Sequence, residues 1–231
     1  MLGMPEATVN LNRMLAIIDN IAAHEFAVDD ESKLVAAIAD ATKILSYITA
    51  GITLTGQLTM AQAFELNGQD FALTDATLDA NQYMALQISH EGVSIREVQF
   101  AISGNSDGNT IYSIDVYAAG SLIEGCTFVM SNAGSSGSVS VYYEGYAGHK
   151  LNDNTLSNGV AFTGGCVMDE VKNNTFAATK GFGLGECTIG GIHYFEADAD
   201  KVAAIKAYLI AEGNVTTDDA TGLVVEGYFE P

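Results

Sequence analysis

The apolar and polar positions of this chain follow two different periods. Over residues 8–26, "TVNLNRMLAIIDNIAAHEF", apolar residues return every three or four positions at Leu11, Met14, Leu15, Ile18, Ile21 and Ala22. That period predicts one face of an α-helix. "DDES" then supplies acidic and hydroxyl residues suited to a helix N-terminus. A second stripe runs through Leu34, Ala37, Ile38, Ala41, Ile44, Leu45 and Ile48 and stops at Gly51. Together they read as a helical hairpin over residues 1–51. Its stripes either cap the next domain or form an oligomer seam, because the same spacing suits a coiled coil. The candidate attachment positions are Leu11, Leu15, Ile18, Leu34, Ile38 and Leu45. A third helix is predicted at "DADKVAAIKAYLIAEGN", where Val202, Ile205, Leu209 and Ile210 share a face and "GN" closes it. This helix and the extended tail after it make residues 193–231 a second cap.

Residues 52–192 have another texture. Short runs alternate apolar and polar residues, separated by Gly, Asn, Ser and Thr and without a proline. A period of two over such short runs predicts strands. The phrases "GVSIREVQF", "GSLIEGCTF" and "GHKLNDNTL" begin at Gly92, Gly120 and Gly148, which are equally spaced. Their shared pattern spans Leu73–Leu78, Ile95–Phe100, Ile123–Phe128, Leu151–Leu156 and Val171–Phe176. Leu184–Ile189 is a sixth match that follows too soon for a full coil. Repeats of roughly 20–30 residues built from short strands predict a solenoid, in which each repeat is one coil. Leu78, Phe100, Phe128, Leu156 and Phe176 should then stack in one column. The segments 103–110 and 131–138 should emerge as loops on one side. An irregular β-sandwich is the competing fold, but it gives no reason for a motif to recur in register.

"LNDNTL" and "VKNNTF" resemble the coil signature of right-handed parallel β-helix proteins of the pectate-lyase-like superfamily. The resemblance spans roughly residues 52–192. It implies an inward ladder of stacked asparagines, with Asn154 and Asn174 in that position and Ala76, Val98 and Cys126 in the earlier coils. It implies little about activity, because the superfamily holds lyases, hydrolases, epimerases, phage tailspikes and inert surface proteins. The expected architecture is therefore mainly β: a right-handed parallel β-helix with an N-terminal helical hairpin and a C-terminal helix plus extended tail.

Charge narrows the partners. The chain has 29 acidic and 9 basic residues, a formal net charge of -20. Such a field repels a phosphate backbone, so nucleic acid is not an expected partner. "MLGMPEATVNLNR" does not read as a secretory leader, and no apolar run is long enough to span a bilayer. Synthesis as a soluble chain without membrane insertion is expected. Cys126, Cys166 and Cys187 are too few and scattered for a disulfide framework and should be free thiols.

Candidate chemistry is sparse. Polysaccharide lyases of this fold use basic groups, yet Arg96 is the sole arginine in the coils; it, Lys150 and Lys172 read as salt-bridged surface residues. The acids Asp115, Glu124, Glu144, Asp153, Asp169 and Glu170 include no clustered Asp-Asp pair within a strand, and His90, His149 and His193 are isolated in sequence. "GNSDGNT" alternates Asn105, Asp107 and Asn109 with other residues like a calcium loop but lacks the distal glutamate. Calcium is the one cofactor left open. In "VYYEGY", outward members of Tyr142, Tyr143 and Tyr146 could stack on sugar rings. The leading expectation is a non-catalytic structural protein: a phage decoration, fibre or tail-type component of a virion or other exterior assembly, commonly a homotrimer docked on other assembly or capsid proteins. A non-viral source would make it cytoplasmic. The alternative is a carbohydrate-binding or polysaccharide-cleaving, lyase-like β-helix.

Overall fold

The computed structural model describes residues 25–42, 44–68, 72–78, 84–104, 110–132, 137–195, 198–217 and 222–227. Its strands form one nine-stranded sheet and two seven-stranded sheets. Almost all neighbours are parallel; the exception is the hairpin between Cys187–Ile189 and Ile192–Tyr194. Successive strands visit the sheets in a fixed cyclic order. One coil, for example, runs through Leu122–Glu124 on the first face, Thr127–Asn132 on the second and Gly137–Glu144 on the third. This is the arrangement of a parallel β-solenoid, mainly β with two described helices.

Each face presents its alternate residues inward, and like stacks on like. The first-face column is Ser46, Leu66, Ile95, Ile123, Leu151 and Val171. The second-face column is Ile52, Leu73, Phe100, Phe128, Leu156, Phe176 and Thr216. Phe100 and Phe128 stack with ring centroids 4.9 Å apart and planes 5° from parallel. Leu78 is not in this column, contrary to the motif alignment. It pairs with Gly104, while Leu73 lies beside Phe100. The sixth motif match also dissolves, because Leu184 belongs to the third face and Ile189 pairs with Met168 on the first.

The repeated phrase has a backbone cause. Its opening glycines, Gly92, Gly120 and Gly148, all have positive φ, where a side chain is disfavoured. They turn the chain from the third face onto the first, and Gly92 and Gly120 donate to the Ala119 and Ala147 carbonyls of the next coil. A second left-handed position turns the first face onto the second, at Glu97, Gly125, Asp153, Asn173 and Gly213. The residue after it points inward. There Asn154 Nδ2 donates to Asn174 Oδ1 at 2.9 Å and to the Ile123 carbonyl at 3.1 Å. Asn174 repeats the pattern onto Asn214 Oδ1 and the Leu151 carbonyl, both at 2.8 Å. The ladder therefore has a third rung, Asn214. Below Asn154, Cys126 takes the same role in part: its N–H donates to Asn154 Oδ1, and its thiol lies 3.7 Å from the Ile95 carbonyl. Val98 continues the slot with an apolar side chain, but Ala76 does not, because the register there pairs Leu73 with Phe100.

The ends depart most from expectation. Residues 1–24 lie outside the described residues, and with them Leu11, Leu15 and Ile18. The described residues do not support the helical hairpin. The one described helix there is Glu31–Ala39, capped by Asp30, whose side chain accepts from the Lys33 N–H. Glu25–Val28 and Leu45–Ile48 are instead paired strands, in register from Glu25↔Leu45 to Val28↔Ile48. Asp40 and the turn after it break the helix; Leu45, Ser46, Tyr47 and Ile48 then alternate half-buried and buried, as a strand does. Leu34 and Ile38 are buried in this chain's own core, so they serve as a cap and not as exposed attachment positions. At the other end the helix Ala199–Ala211 buries Ile205 and Leu209. It interrupts a coil that resumes with Val215–Thr216 on the second face and Val224–Gly227 on the third. The sheets thus reach past residues 52–192 in both directions.

Candidate functional site

The first face carries Arg96, Lys150 and Lys172, each paired with a carboxylate. Arg96 bridges Glu65 at 3.4 Å and also contacts Glu124. Lys150 and Lys172 meet Glu170 at 3.1 and 3.6 Å. The Lys150 and Asn152 hydrogen bonds hold the Glu170 carboxyl below its usual range. A salt-bridged surface is what this face offers, with no free base for proton abstraction among Arg96, Lys150 and Lys172.

His149 is not on the surface, as its isolated position implied, but fully buried. Its Nδ1 lies 2.9 Å from Ser121 Oγ and its Nε2 is 3.2 Å from the Gly145 carbonyl. Nε2 therefore donates and Nδ1 accepts the serine hydroxyl. Burial lowers its pKa and keeps the ring neutral. The Ser121–His149 pair is a satisfied core contact that no substrate reaches. His90 and His193 lie apart from it: His90 Nδ1 meets the Glu91 carbonyl, and His193 sits beside Thr188 and Phe195. The thiols are buried and free, as expected. Burial pushes Cys126 and Cys187 up to about 12, which leaves them unreactive. The near neighbours are Cys166 and Cys187, paired in register on adjacent strands, and not Cys126 and Cys187. The calcium-like residues Asn105, Asp107 and Asn109 lie outside the described residues. Among the described residues, no three His, Cys, Asp or Glu side chains gather as a metal site, and no helix is long and apolar enough to cross a membrane.

The third face carries a concave site with aromatic walls. Its outward row runs Gln87, Asp115, Tyr142, Ala161, Gly183 and Glu226 from coil to coil. Side-chain volume falls abruptly from Tyr142 to Ala161 to Gly183, and that step is the cavity. Tyr142 and Tyr112 stand on one side, with ring centroids 4.7 Å apart. Ala161, Gly159 and Gly183 form the floor, and Thr110 and Val139 complete the rim of a cavity of about 280 Å³. Thr163 Oγ1 lies 3.1 Å from the Tyr142 hydroxyl and 3.2 Å from the Tyr143 carbonyl, which fixes the wall.

The three tyrosines singled out in the sequence separate. Tyr142 faces outward into this pocket. Tyr143 points into the core between His149 and Phe162, at 5.1 and 5.6 Å. Tyr146 sits exposed on the following turn with φ 63°. Tyr112, the partner of Tyr142, is not singled out by sequence reasoning. Its signal is the register of "TIYSIDV" on "GSVSVYY", which sets Tyr112 against Val139. That register slips by one position against the spacing of the opening glycines, because the glycines lie on a different face.

Next to Tyr142, Asp115 keeps only 1% of its surface exposed. Its Oδ1 has no hydrogen-bond partner among the described residues. Burial, and then the charge of Glu144, push its pKa up to about 7. The Tyr117 hydroxyl donates to Glu144, which with burial raises the tyrosine's own pKa. Asp115 and Glu144 are thus two acids of the sequence set that the fold draws together. So deeply covered, Asp115 is out of reach of a molecule in the pocket. No protein-family model, curated protein or solved structure matches this chain.

Proposed function

We propose that this chain is a non-catalytic structural module, a right-handed parallel β-helix of the pectate-lyase-like kind that serves as a rigid body in a virion or other exterior assembly. The observation that supports this reading best is the stacking of inward side chains along all three faces, with a helix packed near each end. A body so built resists bending and presents loops at fixed positions. The step from such a body to a virion rests on likeness of fold alone. A homotrimer is the proposed state, docked to its assembly through the Leu11, Leu15 and Ile18 stripe, since Leu34 and Ile38 are committed to the core. Sedimentation of the full chain and of Leu15→Asp tests this. The reading expects a discrete trimer that becomes a monomer in Leu15→Asp while the β signal in circular dichroism stays constant. A wild-type monomer at high concentration overturns it.

A second reading, saccharide binding on the third face, is favoured by the Tyr112–Tyr142 pocket. Aromatic faces beside a floor of small residues and a threonine hydroxyl suit a ring with an apolar face and a polar rim.

A further inference from the structure

We propose that the third-face pocket selects a single uncharged pyranose ring and rejects uronates. This rests on the saccharide reading and adds the class of sugar. Size sets the first limit. A cavity of about 280 Å³ is at the lower edge of small-molecule sites, roughly 300–1,000 Å³, so it admits one ring and leaves any further units outside.

Charge sets the second limit. The described residues in contact with the cavity are Thr110, Tyr112, Val139, Tyr142, Val160 and the small residues of the floor, none of them charged. Acidic sugars need a cation or a basic side chain to offset their carboxylate, and this lining supplies none. The outward row instead places the exposed Glu226 beyond Gly183, so a carboxylate borders the pocket. Glu144 adds another on the same strand as Tyr142. A uronate entering there meets like charge from Glu226 and Glu144, in a molecule already at -20. A neutral ring escapes this repulsion. Its C–H face can lie on Tyr142 or Tyr112, while its hydroxyls reach Thr110 Oγ1 at the rim.

Calorimetric titration of the full chain with neutral gluco-, galacto- and xylo-oligosaccharides and with oligogalacturonate, in low salt, tests the selectivity. At least one neutral series should bind, at least tenfold more tightly than oligogalacturonate. Ala161→Leu fills the floor and should weaken that binding at least tenfold with an unchanged melting curve. If Ala161→Leu unfolds, Tyr112→Ala removes one wall and should give the same loss. Equal or tighter binding of oligogalacturonate overturns the selectivity and leaves the saccharide reading standing. No binding by any oligosaccharide overturns both. Neutral binding that survives a filled floor places the ligand elsewhere and also overturns the proposal.

Discussion

At the residue scale, the ladder slot shows how one position accepts several chemistries. Each rung must satisfy a turn N–H and a strand carbonyl that the sheets leave unpaired, and an asparagine amide does both at once. Cys126 does half of this with its backbone and a weak thiol donor, and Val98 leaves the slot apolar. Asp115 is the opposite case, a buried carboxyl without a full set of partners. Its folded pKa, about 7, stands above the 3.8 of a free carboxyl. The folded state therefore holds a proton that the unfolded chain has released, and stability falls as pH rises from about 4 through 7. That window corresponds to a loss on the order of 3–4 kcal/mol. Urea unfolding at pH 5 and pH 8 should show a loss about 2–3 kcal/mol larger in the wild type than in Asp115→Asn, because at pH 5 the unfolded carboxyl has already ionised. Asp30 and Glu170, whose pKa values are lowered, lose their contribution only as pH falls below the ordinary carboxylate range; His149, whose pKa is lowered, gains stability as pH rises through this window, but in both proteins alike, so the difference between them isolates Asp115. An identical fall in both proteins would assign the effect to net charge instead.

At the element scale, the solenoid depends on columns, and their centre is the Phe100–Phe128 stack. Phe128→Ala should cost about 3–5 kcal/mol, the usual range for emptying a large aromatic site. Urea denaturation measures it, and a loss close to zero would mean that the column is not the core. Much of this element order is legible in the sequence. The short runs of "MALQISHEGVSIREVQF" and the glycines at Gly92, Gly120 and Gly148 read as strands and turns, and they form them. Leu73–Leu78 misleads because the spacing of its apolar residues fits the motif by chance, while register is set by cross-strand packing that one sequence does not display. The second helical stripe fails at Asp40 for a similar reason. Ile44, Leu45 and Ile48 satisfy a helical period, yet β-branched residues beside Tyr47 also suit a strand, and pairing with Glu25–Val28 decides it. Asn214 is readable in principle: "GNVT" follows the same order of left-handed residue, asparagine and spacer as "DNTL". Its place after a helix makes it look like a cap only. The pocket is half legible, in Tyr142 but not in Tyr112 or the small floor residues, because a cavity comes from differences between coils and the motif records what they share.

At the scale of the whole molecule, coils with and without insertions stack on one pitch. On the first face, Glu170 follows Lys150 after fewer residues than Lys150 follows Leu122, yet each is paired in register with the strand before it. Length varies while height per coil does not. Distance along the axis should therefore follow the number of coils and ignore the number of residues. Spin labels beside the second-face column measure this by double electron–electron resonance, using Thr53→Cys with Thr217→Cys and, separately, Ala101→Cys with Thr217→Cys, while the native thiols stay buried. Ile52 and Thr216 are six steps apart in the column, and Phe100 and Thr216 are four. At about 4.8 Å per step, the two pairs should lie roughly 29 and 19 Å apart, allowing for the label arms. Distances near those values confirm the coil stack; two equal distances, or distances far beyond one strand spacing per step, contradict it.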